Sequence, residues 1–406
     1  MDIQGEYIGF DVLSSFRLGA PEIKIVLTGG GTAGHVSPLI AVFQELQKRH
    51  KSLEALFVGK QGSVEERMAN EAGIDFKGLN ISGLSRTFDL GGICRNIGVG
   101  ANYFKAVKKA KKFLEEFGAD LVFATGGYVC APVLHAARRL KIKAVMHEQN
   151  EAPGLTTRLF KNKVDVLLLA SDGSKKYFKK DDGGRRIAVV GNPVRSEFKR
   201  WKSKDAKRAL KLSETGFLVV SFGGSLGARN LNKAVADAFL NVEDIGELDW
   251  IHITGEAGYD EFISILEDGH FDFKLHKNIE IRRYVSDMAL LIGAADLVVA
   301  RAGAMTISEL QMAGKACILI PSPNVTNNHQ FFNADALFKK GAVAMLEEKN
   351  LAAGRLIREI KALMLDKDCL NGLSSEMAKS AVLDSVDRIC GIIEELVEGR
   401  SRDERK

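Results

Sequence analysis

The stretch Ile23-Lys24-Ile25-Val26-Leu27-Thr28-Gly29-Gly30-Gly31-Thr32-Ala33-Gly34-His35-Val36 decides the fold. An apolar run at 23–27 ends in a glycine-rich turn, and a helical pattern follows from about 36 to 49. Similar strand-like runs recur at 55–58, 120–124, 144–147, 166–169 and 187–190, with helix-length segments between most of them. Apolar strands alternating with helices predict a parallel sheet covered on both faces. Gly191-Asn192-Pro193 breaks the pattern and a basic, polar stretch follows at 197–211, which places a domain boundary near 195. The second half restarts in the same way. A strand run at 217–222 enters Gly223-Gly224-Ser225-Leu226-Gly227, a helix follows at about 228–240, and further strands read at 250–253, 278–281, 297–300 and 317–320. Two successive units of strand, glycine turn and helix predict two doubly wound α/β domains facing a cleft.

The totals agree with that division. At 406 residues the chain exceeds one ordinary core, so two domains are expected. The predicted limits are an extension at 1–21, a first domain at 22–195, a second at 196–384, and a last helix from 385 that is free to pack back on the first domain. No stretch approaches the ~20 consecutive apolar residues of a membrane span. Residues 1–21 lack the basic start and apolar run of a secretory signal. Cys94, Cys130, Cys317, Cys369 and Cys390 are scattered without C-x-x-C spacing, so they read as buried small hydrophobes in a reducing compartment.

Residues 29–34 satisfy G-x-G-x-x-G after a first strand, the pattern of a dinucleotide site. Such a site needs an acid at the end of the second strand to hold the ribose diol, and this strand ends Val58-Gly59-Lys60. NAD and FAD are therefore rejected, and no G-x-x-x-x-G-K-[ST] exists for a P-loop. The turn still brings backbone N–H groups and the positive end of a helix to a ligand. His35 opens that helix, as a residue of the cleft or as a cap of the turn. In the third turn, Ala300-Arg301-Ala302-Gly303-Ala304-Met305-Thr306-Ile307-Ser308-Glu309, amides at 304–306 are placed to meet a diphosphate. Glu309 reads equally as an acceptor for a vicinal diol and as a first-turn acid favoured by the helix dipole. The polar loop at 324–330 reads as a binder of sugar hydroxyls or as a helix cap.

Seven strings carry a resemblance: TGGGTAGHVSP (28–38), ATGGYVCAP (124–132), HEQN (147–150), GNPVR (191–195), FGGSLGARNLN (222–232), RAGAMTISEL (301–310) and NNHQFFNADAL (327–337). In this order and spacing, over roughly residues 22–395, they resemble the MurG family, the UDP-GlcNAc:lipid-linked muramyl-pentapeptide GlcNAc-transferases of peptidoglycan synthesis. The resemblance implies a GT-B fold with the donor in the C-terminal domain and the acceptor in the N-terminal one. It implies a hexosyltransferase that moves GlcNAc to the C4 hydroxyl of an undecaprenyl-diphosphate-linked muramyl-pentapeptide, in cell-wall biogenesis, cell shape and cell division. By matching position it implies donor contacts at Thr32, Ala33, Gly34, Asn150, Arg195, Ser225, Val285, Ala304, Met305, Thr306, Ile307, Ser308, Glu309 and Gln330. Leu226, Ala302 and His329 depart from the residues many members have there, and Leu226 leaves only backbone contact at its place. The alternative is another two-domain UDP-sugar enzyme, such as a UDP-GlcNAc 2-epimerase or a glycolipid synthase. No RNA-binding motif is present, so a nucleic-acid partner is not expected.

An α-linked donor and a β-(1→4) product imply a single displacement with inversion, which needs a base and stabilisation of the leaving UDP. His35 and Glu148 are the candidate bases. His35 titrates near the working pH, whereas Glu148 reads also as a group that orients a histidine. No D-x-D ends a strand, and Asp366-Lys367-Asp368 reads as solvated surface, so neither a metal nor a cofactor is expected. Residues 95–112 hold Arg95, Lys105, Lys108, Lys109, Lys111 and Lys112 with no acid, interleaved with Ile97, Val99, Tyr103 and Phe104. With Tyr103, Val107, Ala110, Leu114 and Phe117 facing the core, the lysines form the opposite face. That face suits an anionic leaflet, worth about 1 kcal/mol per charge, and a peripheral enzyme on the cytoplasmic side of the inner membrane is expected.

Overall fold

A computed structural model describes residues 23–81, 90–178, 186–224, 227–241, 248–325, 328–351 and 354–403, with backbone only at 90–101 and 400–403. The first sheet holds β1 (Ile23–Thr28), β2 (Leu53–Lys60), β3 (Asp75–Leu79), β4 (Leu121–Ala124), β5 (Lys143–Glu148), β6 (Val166–Leu169) and β7 (Arg186–Val189). Between these run α1 (Ala33–Arg49), α2 (Val64–Glu71), α3 (Leu90–Phe117), α4 (Cys130–Leu140) and α5 (Leu155–Phe160). The second sheet holds β8 (Phe217–Phe222), β9 (Leu248–Ile253), β10 (Ile279–Arg282), β11 (Leu297–Ala300), β12 (Cys317–Leu319) and β13 (Ala344–Met345). Its helices are α6 (Glu197–Arg200), α7 (Ser203–Ala209), α8 (Arg229–Leu240), α9 (Tyr259–Asp268), α10 (Met288–Ala294), α11 (Ala304–Ala313), α12 (His329–Phe338), α13 (Arg355–Leu365) and α14 (Lys367–Lys379). A last helix, α15 (Ser385–Asp403), closes the chain.

Among the described residues every strand pairing is parallel, and the orders are β3-β2-β1-β4-β5-β6-β7 and β10-β9-β8-β11-β12-β13. Strand order reverses between β1 and β4 in one sheet and between β8 and β11 in the other. Loops leaving those neighbours diverge and open a crevice at the carboxyl ends of the strands, the place where such sheets bind ligands. The central strands β4 and β11 are buried at every residue, which explains their continuous apolar runs. The edge strands β3 and β13 escape a reading based on apolar runs, because β3 alternates exposed and half-buried residues and β13 has only two residues.

Val194 and Phe198 already pack in the core of the second sheet, together with Leu218, Val220 and Leu291. The chain returns near Val382, and the two crossings touch. Gly191 sits at φ +80°, and a Cβ there would lie 2.6 Å from Val382 Cβ, so both conformation and space demand glycine. Beyond this point α15 packs on the first sheet. Ile389, Cys390, Ile393 and Val397 join Leu39, Val42 and Phe43 of α1 in one buried cluster. His50 and Arg49 at the end of α1 meet Glu394 at 2.9 and 3.6 Å.

Three expectations are corrected or bounded here. Cys130, Cys317 and Cys390 are buried, but Cys369 is exposed near the start of α14, and the side chain of Cys94 lies outside the described residues. Asp366, Lys367 and Asp368 are exposed as expected, and Asp366 also caps α14 by accepting from the Cys369 N–H at 2.9 Å. On α3, Val107, Ala110 and Leu114 are buried with Tyr103 and Phe117 against them, while Lys105, Lys108, Lys109 and Lys112 are exposed. The side chains of Arg95, Ile97 and Val99 lie outside the described residues.

Candidate active site

In the first crevice two glycine loops meet backbone to backbone. The Gly30 N–H donates to the Gly126 carbonyl at 3.2 Å, and a Cβ at Gly127 would fall 2.2 Å from the Gly30 oxygen. Glu65, which no sequence motif singles out, seals the far side. It is buried against Gly30 and Gly59 and accepts from the Lys60 N–H at 3.3 Å. Thr32 occupies the N-cap position of α1, but its hydroxyl makes no cap bond and it is exposed at the mouth. Ala33, Gly34 and His35 form the half-buried first turn. Pro38, four residues on from Gly34, has no N–H to give the Gly34 carbonyl.

The His35 ring lies flat against Gly126, where a Cβ would stand 3.3 Å from Cε1. Its Nδ1 is 3.0 Å from the Thr125 carbonyl and 3.2 Å from Gln149 Oε1. Both neighbours are acceptors, so Nδ1 carries the hydrogen of the neutral ring and Nε2 is bare. Burial pushes the imidazole below the usual 6.5. Glu148, Gln149 and Thr125 pull it the other way, and His329 from the opposite domain adds to the depression.

Glu148 is buried and does not hydrogen-bond the ring. One carboxylate oxygen accepts from the Asn150 N–H at 3.0 Å and Asn150 Nδ2 at 3.1 Å. The other accepts from the Gly154 N–H at 2.9 Å and Thr157 Oγ1 at 2.6 Å. With both oxygens engaged, Glu148 shapes the 148–157 turn and aims Asn150, and it offers no free lone pair to a hydroxyl in this arrangement. Asn150 Oδ1 accepts from Asn333 Nδ2 of α12 at 3.3 Å.

In the second crevice α11 begins after Gly303. Its first amides, at Ala304, Met305 and Thr306, have no intrahelical partner, whereas the Ile307 N–H is spent on the Gly303 carbonyl at 2.9 Å. Met305 and Ile307 turn their side chains into the core, which anchors the first turn of the helix. Ser308 Oγ donates to the Ala304 carbonyl at 3.0 Å and accepts from Asn192 Nδ2 at 2.9 Å, which occupies it internally. The Glu309 carboxyl sits deep enough that burial raises it to about 7, against the pull of Arg195. Arg195 lies over the Phe198 ring at 5.7 Å and 3.5 Å from Glu197, with its side chain 34% exposed. Val285 is half-buried between β10 and α10 and packs on the second core. Gln330 accepts from the Ser322 N–H at 2.9 Å through Oε1, and among the described residues no partner is seen for its NH2 group. Ser225 lies outside the described residues. The two crevices face each other, and a Cβ at Gly34 would lie 4.0 Å from Met305 Cγ.

Comparison with known proteins agrees with this two-crevice arrangement. The model of the glycosyltransferase family 28 N-terminal domain matches residues 25–168, and that of the C-terminal domain matches 218–389. A UDP-N-acetylglucosamine--N-acetylmuramyl-(pentapeptide) pyrophosphoryl-undecaprenol N-acetylglucosamine transferase of Acetivibrio thermocellus is 36% identical over 93% of this chain and all of its own length. The chain belongs to the MurG family. A relative of the same name from Bacillus cytotoxicus is 34% identical over 92% of the chain and all of its own. MurG from Acinetobacter baumannii superposes with a TM-score of 0.68 at 22% identity, covering 92% of this chain and 100% of that one. A UDP complex of S. aureus MnaA reaches 0.66 at 12% identity, over 93% and 97% of the two chains, which speaks for the GT-B fold alone. MurG membership names the family. It does not by itself reveal Gln149, Asn192 and Asn333, which knit the site together. All three lie inside the strings HEQN, GNPVR and NNHQFFNADAL, but side-chain amides carry no periodic signal that separates a binder from a brace.

Proposed function

We propose that this hexosyltransferase of the MurG family transfers GlcNAc from UDP-GlcNAc to the C4 hydroxyl of a lipid-linked muramyl-pentapeptide, with His35 as the base. The observation that carries the residue assignment is the bare Nε2 of a half-buried His35, at the strand-order reversal of one domain and opposite the free amides of α11 in the other. The diphosphate fits the N-terminus of α11, where unpaired N–H groups and the helix dipole favour charge. Glu309 suits the ribose diol, the NH2 group of Gln330 suits a sugar hydroxyl, and Thr32 and Asn150 reach from the other side.

The acceptor hydroxyl attacks the anomeric carbon from the face opposite the leaving diphosphate, and the β-bond forms as the α-bond breaks. His35 Nε2 takes the hydroxyl proton, and the charge arriving on UDP falls on the α11 amides and Arg195. Enclosure between the domains brings the two substrates together and excludes water.

The acceptor is held at a membrane, and the exposed lysines of α3 with Phe104, which is 64% exposed, supply an adsorption face on the cytoplasmic leaflet. No helix among the described residues is long and apolar enough to cross a membrane. The deciding experiment supplies UDP-GlcNAc with and without a muramyl-pentapeptide lipid. UDP release only with the lipid supports the transferase, and conversion of UDP-GlcNAc to its 2-epimer without acceptor replaces this reading with an epimerase.

A further inference from the structure

The proposed base depends on which nitrogen of His35 is bare, and the structure shows what makes that choice. We infer, on the reading of His35 as the base, that Gln149 is a positioning residue that fixes the His35 tautomer and ties it to the linker between the domains.

The chain of hydrogen bonds has only one consistent direction. The Gly191 carbonyl can only accept, so His147 Nε2, 2.8 Å away, donates to it. The neutral His147 ring then has a bare Nδ1, which accepts from Gln149 Nε2 at 3.1 Å. The same NH2 group donates its second hydrogen to the His147 carbonyl at 3.0 Å. With both hydrogens placed, Gln149 must turn Oε1 towards His35 Nδ1, 3.2 Å away, and Nδ1 must donate. The Thr125 carbonyl, 3.0 Å from that nitrogen, accepts the same hydrogen, so two acceptors share it. A flipped Gln149 would set an oxygen against the His147 carbonyl and an NH2 group against the His35 hydrogen. His147 and Gln149 are buried, at 0% and 4% exposure, so water does not stand in for either partner. Burial holds His147 down at about 4, against the Gly191 bond and Glu148, which keeps the ring neutral as the relay needs.

The main chain of Gln149 is held from the same direction. Asn192 Nδ2 donates to the Gln149 carbonyl at 3.2 Å and to Ser308 Oγ of α11 at 2.9 Å. Asn192 therefore holds the main chain of Gln149, Gly191 holds its side chain through His147, and Asn192 also grips the helix assigned to the leaving group. A shift of the linker that breaks the Asn192–Ser308 contact acts on His35 through Gln149.

Full-length protein with 15N-labelled histidine tests this directly, alongside the kinetics of Gln149→Leu, Gln149→Glu and His35→Ala. In the unsubstituted protein, His35 shows a protonated Nδ1 and a bare Nε2. Gln149→Leu leaves Nδ1 with Thr125 alone, so the Nδ1–H form loses one of its two acceptors and the Nε2–H tautomer gains population. Its kcat falls about ten- to a hundred-fold, part of the 10²–10⁴ a positioned base contributes, while KM for UDP-GlcNAc stays within about two-fold. Gln149→Glu sets a second carboxylate near His35 beside Glu148 and opposite His329, and the acid limb of kcat moves up by about one pH unit. Wild-type His35 protonated at Nε2, or Gln149→Leu with unchanged tautomer and turnover, overturns the inference. If Gln149→Leu does not fold, the wild-type spectrum and the near-isosteric Gln149→Glu still decide it. Near-normal turnover in His35→Ala instead overturns the base assignment, and the tautomer measurement then judges Gln149 on its own.

Discussion

Asn333 Nδ2 donates to Asn150 Oδ1 at 3.3 Å, so an amide from α12 of one domain holds an amide of the other. The same Asn333 side chain donates to the Ala302 carbonyl at 3.2 Å and accepts from the Glu151 N–H at 3.0 Å. Three partners on a residue only 7% exposed make it a clasp between the β5 turn and the start of α11. Asn333→Ala leaves the Ala302 carbonyl and the Glu151 N–H without this partner at about 1–3 kcal/mol, and the bonds to Glu151 and Asn150 are the ones that belong to the closed arrangement. The expected result is a loss of kcat/KM of about ten-fold or more with a small change in Tm. Unchanged kcat/KM would show that closure does not need the clasp.

His35→Ala removes the bare Nε2 and should lower kcat by about 10²–10⁴ while donor binding persists. Because burial lowers the pKa of His35, the wild-type acid limb lies below pH 6.5. A pH–rate profile with separate UDP-GlcNAc titration checks both points. An acid limb that survives in the alanine variant assigns that limb to another group.

Glu309 makes a test of the donor pocket that runs opposite in stability and in function. Its folded pKa is raised to about 7 from 4.5, so its contribution to stability is present below 4.5 and lost as pH rises through 7. The diol is expected to favour the charged carboxylate, so UDP-GlcNAc should bind more tightly at pH 8 than at pH 6. Glu309→Gln should raise Tm at pH 8, weaken donor binding and flatten its pH dependence. Calorimetric titration at the two pH values measures this, and equal slopes for both proteins would sink it.

His252 is fully buried in the second core, bonded to Ser221 at 2.7 Å, and burial holds it at about 3. His147 in the first domain is held at about 4. Both are lowered, so their contribution is present above 6.5 and is lost as pH falls towards those values, each ten-fold difference in proton affinity being worth about 1.4 kcal/mol. The Tm difference between wild type and His252→Asn should therefore shrink steadily from pH 7 to pH 4. A constant difference would mean that His252 does not titrate in this way.

Charge reversal on α3, as Lys105→Glu with Lys108→Glu and Lys112→Glu, should abolish binding to vesicles containing anionic lipid. In the wild type the binding should weaken as salt rises, since exposed charges are screened over about 10 Å at 0.1 M. Turnover of a water-soluble acceptor should be unaffected. Salt-independent binding in sedimentation with such vesicles would rule out this face as the anchor.

The glycine turns at 29–34 and 300–303, the buried strands and the long helix at 33–49 were legible because each depends on local pattern. Apolar runs, glycine and periodicity act within a few residues. Short edge strands such as β13 were not legible, since two residues make no pattern. The acid Glu148 was a candidate base by its chemistry. Its four hydrogen-bond donors come from the turn that follows it, and only the folded turn reveals that its lone pairs are taken.

The sequence by itself determined two parallel α/β units, the positions of their glycine loops and, through ordered motifs, the family. Those properties follow from local backbone freedom and from burial, which composition along the chain encodes. The tertiary structure decided which groups are free to act. Hydrogen bonds from His35 Nδ1 to Thr125, 90 residues away, and to Gln149, 114 residues away, leave Nε2 as the bare nitrogen. Asn333 reaches Asn150 across 183 residues. A side-chain amide or an imidazole has the same composition whether it braces or binds, and only its partners in space distinguish the two.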